Sequence, residues 1–151
     1  MNDAIGTGPA MGESEAIGLC CNQVLGFFRD LDDNDYESLV GRMLPDGVWH
    51  RQGKVLGGRD AVRAALALRS GTQRIHHLIT NLFADAVDGA RCSLRGYMLV
   101  VRHDEGKPLA GPAPLKGIEN IRTTRVELAW RDGAWLIADM RNDEPSFSSA
   151  A

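Results

Sequence analysis

Two residues carry side chains whose combination could move a proton: Asp32, late in an amphipathic run that starts near residue 14, and His77, inside the β-type segment RIHHLITN. An aspartate that holds one nitrogen of an imidazole fixes its tautomer and stabilises the imidazolium. The other nitrogen can then take a proton from carbon or oxygen in a substrate and later return it. Such a pair needs neither a metal nor an organic cofactor. The pair is useful only if the chain brings both residues to one pocket, so the elements that carry them matter most.

Asp32 lies in an acidic stretch, DLDDNDYE, where five of the eight residues from Asp30 to Glu37 are carboxylates. A calcium loop of the EF-hand type starting at Asp30 requires Gly at its sixth position and Glu at its twelfth. Those positions hold Asp35 and Gly41, so no calcium loop is expected. Four of the carboxylates are expected in water around a helix corner. Asp32 is the exception, because stepping back along one helix face reaches Phe28, then Val24 and Cys21. A buried carboxylate needs a hydrogen-bonding or charged partner.

On a strand, Ile75, His77, Ile79, Asn81 and Phe83 share one face, while Arg74, His76, Leu78, Thr80 and Leu82 share the other. His77 therefore keeps the more core-like company. Around it, Glu13, Ser14 and Glu15 open a helix in which Ile17, Cys20 or Cys21, Val24, Phe28 and Leu31 recur at helical spacing, ending near Asp30 to Asp33. A second helix is expected from Tyr36 to Met43, capped by Asn34 or Asp35, and closed by the turn Pro45-Asp46-Gly47. VWHRQGKVLGG reads as a bent strand or short hairpin, and RDAVRAALALRSG as a third helix. The rest is long strands joined by DG turns at Asp88 and Asp132, which suggest antiparallel hairpins. Helices first and strands after predict an α+β fold with the helices on one face of a strongly curved sheet.

The chain of 151 residues fits one domain. Residues 1–13 are expected as a flexible arm, 14–143 as the folded domain and 144–151 as a flexible tail. A hydrophobic content of 44% and a formal net charge of −3 offer no basic excess for a polyanion, so nucleic acid is not an expected partner. Three cysteines, an odd count, suit reduced thiols and a cytoplasmic setting. No signal-peptide pattern and no run of eighteen apolar residues occurs, so neither export nor a membrane partner is expected. The sequence contains no Gly-rich nucleotide loop, no metal-ligand cluster and no GxSxG nucleophile motif. Neither cofactor nor metal is expected.

The segments FFRDLDDNDYESL, DGVWHRQGKVLGGRDAV, IHHLITNL and VELAWRDGAWLI, in that order, resemble the nuclear transport factor 2-like superfamily, and in particular its SnoaL-like branch with scytalone dehydratase and hexachlorocyclohexane dehydrochlorinase. The resemblance covers most of residues 14–143. It implies a cone: a strongly curved, mostly antiparallel sheet wrapped around the N-terminal helices, with an apolar pocket open at one end. It also implies that Asp32 and His77 form the catalytic pair. Of the two water-holding tyrosines of the scytalone dehydratase pattern, one position falls on His50 and the other on Leu31. That enzyme's second pocket histidine falls near Tyr97.

The expected activity is a lyase, dehydratase-like, or an isomerase acting on a small, largely apolar polyketide, aromatic or steroid-like molecule. In that reading His50, Tyr97, Asn81, Phe28 and Trp49 contact the substrate or support the pair. The same scaffold also serves non-catalytic carriers of hydrophobic ligands and the small subunits of aromatic-ring dioxygenases. The resemblance further implies a homo-oligomer, dimer or trimer, formed through the outer face of the sheet. The loop DEGKPLAGPAPLK reads equally as a lid or a plain surface loop.

Overall fold

A computed structural model describes residues 7–149. Glu13 and Glu15 occupy the first turn of helix α1 (Glu13–Asp32), where negative charge complements the helix dipole. The face Ala16, Cys20, Val24, Phe27, Phe28 and Leu31 is buried. The helix α2 (Tyr36–Gly41) follows at once, its first turn capped by the Asp35 carboxylate, which accepts from the Ser38 N–H at 3.2 Å. It stops two residues before the expected end at Met43, because Met43 already belongs to strand β1 (Met43–Arg51).

Strand β1 pairs with β2 (Lys54–Gly57) as a hairpin whose turn residues Gln52 and Gly53 both have positive φ, the geometry that suits the twist of paired strands. Helix α3 (Arg59–Leu66) leads to β3 (Arg74–Asp88), β4 (Arg91–His103), β5 (Asn120–Arg131) and β6 (Ala134–Asn142). The hairpins expected at the two DG turns are both present, as antiparallel β3–β4 and β5–β6. The order across the sheet is β2-β1-β6-β5-β4-β3, and β1 runs parallel to β6. The result is an α+β fold with a curved, unclosed mixed sheet. Val24, Phe27, Phe28 and Leu31 of α1 pack with Leu94, Met98, Val126, Leu128, Ile137 and Met140 of the sheet. Each such side chain contributes about 1.5–3 kcal/mol when fully buried, enough to hold the end of α1 in one place over the sheet.

Two expectations change. The β3 register shifts between Thr80 and Phe83, where Asn81 adopts φ 53°, so a bulge inverts the alternation. Leu82 and Ala84 then turn toward the core and Phe83 is left 72% exposed. Opposite the bulge, a Cβ on Gly96 would lie 2.9 Å from the Thr80 carbonyl oxygen, so only glycine fits there. The tail is not free either: β7 (Phe147–Ser148) pairs with the start of β5, Phe147 with Ile121 and Ser148 with Asn120. Of the expected arm, residues 1–6 lie outside the described residues. Met11 packs against the core.

Candidate active site

Asp32 is the last residue of α1, and β3 passes beside it. Its Oδ2 accepts the backbone N–H of His77 at 2.9 Å, while Oδ1 lies 2.5 Å from Nδ1 of the same residue. Both carboxylate oxygens are thus committed to His77. A carboxylate only accepts, so Nδ1 carries the hydrogen and Nε2 is left with its lone pair. The side chains are 10% exposed for His77 and 16% for Asp32, which keeps water from replacing the pair. Phe28, one turn back on α1, covers the imidazole with ring centroids 5.5 Å apart at a tilt of 35°.

The ring borders a cavity of about 900 Å³. Phe28, Leu31, Trp49, Ile75, Met98 and Val100 supply its apolar wall. Trp49 is fixed by an edge-on contact with Phe27 at 5.0 Å. The sequence-derived pair Asp32 and His77 therefore meets, and Phe28 and Trp49 stand beside it.

Of the three other expected residues, Tyr97 and Asn81 stand apart and His50 only borders the mouth. Tyr97 is 48% exposed, since the inward positions of β4 are Leu94, Met98 and Val100. Asn81 belongs to the bulge, and its side chain accepts from Thr80 Oγ1 at 3.0 Å on the exposed side, away from His77. His50 borders the mouth of the cavity, but it follows the inward Trp49 on β1, and strand alternation turns its ring to the outer face. There its Nε2 lies 3.1 Å from Asp139 Oδ2, and Arg141 donates to the other oxygen of Asp139 at 3.0 Å.

The acidic stretch also differs from expectation in one member. Asp30 is buried, and Arg42 Nε donates to its Oδ2 at 2.7 Å. The Arg42 guanidinium reaches it by crossing α1 at Gly26, where a Cβ would lie 2.3 Å from it. Arg42 also donates to Gln23 Oε1 at 2.9 Å. This ion pair fastens the end of α2 to α1, and Arg42 borders a second cavity together with Asp32, His76 and His77.

Several residues at the site were not singled out from sequence. Asn120 and Arg122 line the cavity from β5, and Asn142 lines it from β6. Along β5 the inward face changes from Leu128 and Val126 to Thr124, Arg122 and Asn120, so a polar half following an apolar half was the signal for the open end. Thr124 Oγ1 and Asn142 Oδ1, register neighbours, are buried without a partner among the described residues. Arg51 and Arg69 also stand at the cavity. Among the described residues, no three His, Cys, Asp or Glu side chains converge as metal ligands. No helix among them is long and apolar enough to cross a membrane.

A model of the SnoaL-like domain matches residues 13–141. The chain belongs to the SnoaL-like family, within the NTF2-like superfamily. No curated protein matches the sequence. Among solved structures, a protein of unknown function from Mycobacterium tuberculosis is 28% identical, with a TM-score of 0.70 over 89% of this chain and 78% of that one. An NTF2-like protein with a cystatin-like fold from Novosphingobium aromaticivorans is 18% identical, with a TM-score of 0.69 over 85% of this chain and 81% of its own. A third, from the same organism and called "Putative Scytalone Dehydratase", is 18% identical with a TM-score of 0.70 over 91% of both chains. The last two likenesses establish the fold.

Proposed function

We propose that this SnoaL-like protein is a cofactor-independent lyase or isomerase in which His77 is the general base and then the general acid, and Asp32 its orienting partner. The observation that carries this is the double grip of Asp32 on the His77 backbone N–H and on Nδ1, with the ring bordering a cavity that opens to solvent. In the proposed cycle Nε2 removes a proton from a carbon next to a carbonyl or other acidifying group. The electron pair of that C–H bond moves into a new double bond. In elimination, a hydroxyl on the neighbouring carbon leaves with its bonding pair and collects the proton from Nε2–H as water. In isomerisation, the proton returns to a different carbon of the same substrate. Asp32 stabilises the imidazolium between the two steps without itself taking the proton.

The wall of Phe28, Trp49, Leu31, Met98 and Val100 suits a flat apolar body such as an aromatic or polyketide ring. The fold-level likeness to the protein called a scytalone dehydratase supports elimination as the first reaction to examine.

The test uses a carbon acid that asks only for a positioned base. 5-Nitrobenzisoxazole opens to a coloured phenolate when its C–H proton is removed, and a panel of β-hydroxy ketones reports dehydration by enone absorbance. Acceleration by the protein that disappears in His77→Gln supports the base. Equal rates for protein and variant on every substrate would remove His77 from the chemistry.

A further inference from the structure

Two of the cations at the mouth of the cavity, Arg51 and Arg69, stand without an ion-pair partner among the described residues. Arg42, Arg95, Arg102 and Arg125 each meet a carboxylate within 3.1 Å. Arg51 and Arg69, both half-buried, have no carboxylate in ion-pair range among the described residues. Among the described residues, the only side-chain hydrogen bond of Arg51 is to its neighbour Gln52, at 3.4 Å. Its guanidinium lies over Trp49, 5.4 Å from the ring centroid, which places it on the inward face of β1 directly beyond the apolar wall. Arg69 comes from the turn after α3 and lies over Tyr36 at 5.8 Å. Its Nη1 donates to the Leu31 carbonyl at 2.8 Å, to Tyr36 Oη at 3.1 Å and to Asn34 Oδ1 at 3.2 Å. Nε and Nη2 of Arg69 keep no partner among the described residues, so one edge of the fork is anchored and the other is open.

Two like charges held half out of water are a cost in the empty protein. Burial first, and the positive charge of Arg69 second, hold the Arg51 guanidinium below its ordinary range. A carboxylate from the protein would relieve this, yet of the acids at the cavity Glu119 is taken by Arg102 at 2.8 Å, and Glu144, which also lines it, forms no ion pair with either arginine among the described residues. An oxyanion from a ligand would relieve it as well, and planar guanidinium forks match carboxylate and phosphate oxygens in pairs of hydrogen bonds. Arg69 is also tied to the carbonyl of Leu31, the residue before Asp32, so a ligand bound there is referenced to the same helix end that holds the dyad.

We propose that Arg51 and Arg69 form an oxyanion-binding subsite, so that the substrate is an amphipathic anion: a carboxylate or phosphate at the mouth and an apolar body reaching inward to His77. This rests on the cavity being the substrate site, as in the proposed function, but it does not require that His77 be a base. Arg122, whose Nε donates to Asn120 Oδ1 at 3.3 Å, adds positive charge to the same wall.

The test is binding, not turnover. 2-Naphthol, 2-naphthoate and 2-naphthyl phosphate share one apolar body and differ in the group presented to the arginines. Titration calorimetry on the full chain should show at least one of the two anions binding about tenfold or more tightly than naphthol, since a hydrogen bond to a charged group contributes that much. The tighter anion names the group. Arg51→Gln should remove about tenfold of this preference and Arg51→Gln with Arg69→Gln nearly all of it, with naphthol affinity unchanged. Arg51→Gln alone keeps the test valid where loss of the Arg69 anchors unfolds the double variant. Naphthol binding as tightly as both anions, no binding by any of the three, or a preference that survives Arg51→Gln in full would overturn the subsite. Asp32→Asn should leave the preference intact, so an anion-selective protein without proton-transfer activity would sink the acid–base reading alone.

Discussion

Replacing Asp32 by Asn tests the chemistry of the dyad while keeping its shape. The backbone N–H of His77, now bound by Oδ2 at 2.9 Å, still needs an acceptor, so the amide oxygen takes that place. The amide NH2 then faces Nδ1 across the position where Oδ1 lies at 2.5 Å. Two donors cannot share that gap. The ring relieves the conflict by moving its hydrogen to Nε2, and the Nε2 lone pair is gone. To act as a base the ring must return to the Nδ1–H form, giving up about 1 kcal/mol of hydrogen bond, and must do without the charge-assisted bond that stabilised the imidazolium, about 1.5–3 kcal/mol. The facing donors add about 1–2 kcal/mol more. A total of about 3.5–6 kcal/mol corresponds to a loss of roughly 10²–10⁴ in kcat, in line with what an orienting aspartate contributes in a Ser-His-Asp triad.

Two assays follow. One is the rate of proton removal from 5-nitrobenzisoxazole or an identified substrate. The other needs no substrate: long-range proton–nitrogen correlations of the imidazole show which ring nitrogen is protonated. Asp32→Asn should move the hydrogen from Nδ1 to Nε2 with the thermal midpoint lowered only slightly, while Asp32→Ala, which also strips the acceptor from the backbone N–H, should be the less stable of the two variants by about 1–2 kcal/mol. An Asp32→Asn protein that keeps the Nδ1–H tautomer and turns over within a few-fold of the parent would refute the reasoning.

Three further outcomes can be checked. Gly26→Ala gains up to about 1 kcal/mol of helix propensity but pushes on the Arg42 guanidinium and breaks its bond to the buried Asp30 carboxylate, a loss of about 3 kcal/mol, so urea denaturation should show a net loss of about 2–3 kcal/mol; a stabilised variant would contradict this. Asn81→Gly should keep the β3 bulge and full proton-transfer activity, whereas Asn81→Val should strain the positive φ and lower stability by about 1–2 kcal/mol; a large activity loss in the glycine variant with stability intact would restore a direct role for the amide. The Cys20 thiol is pushed up beyond the ordinary range, first by its hydrogen bond with Cys92 and then by burial, while the same bond holds the Cys92 thiol down, so one proton of the pair is kept above the pH at which the unfolded chain releases it and this contribution to stability falls as pH rises past about 8.5. The decline should be shallower in Cys20→Ala by up to about 1.4 kcal/mol per pH unit, and identical slopes would reject the assignment.

What the sequence could and could not reveal follows from the range of the interactions. Helical spacing from Val24 to Phe28 to Asp32 and strand spacing from Ile75 to His77 are local, so the two faces that meet were readable, as were the hairpins at the two DG turns. The bulge at Asn81 was not, because a one-residue insertion leaves the types of Asn81, Leu82 and Phe83 unchanged and only inverts which of them point inward. Tyr97 stands outside the cavity through the same period of two, since it precedes the inward Met98, whereas His50 borders the mouth with its ring paired to Asp139. Arg42 reaching Asp30 across Gly26, and the parallel pairing of β1 with β6, depend on contacts between distant parts of the chain. Arginines read as surface residues wherever they stand, so Arg51 and Arg69 become visible only once their lack of carboxylate partners can be seen in three dimensions.

The placement of the dyad has a physical logic of its own. Among the described residues β3 is the last strand of the sheet, with β4 on one side and no strand on the other. Edge N–H groups that face away from the ladder must find another acceptor or face solvent. At His77 that acceptor is Asp32, which closes the edge at a residue whose side chain borders the cavity. The hydrogen bond that finishes the sheet edge therefore also sets the distance and angle of the hydrogen bond that orients the imidazole. Because both come from one carboxylate at the end of a helix locked by its buried face, a shift of α1 along the sheet would loosen the edge and the dyad together. Fold stability and base geometry are coupled through a single side chain, which is why the separation of Asp32→Asn from Asp32→Ala, rather than either variant alone, distinguishes a structural clamp from a catalytic one.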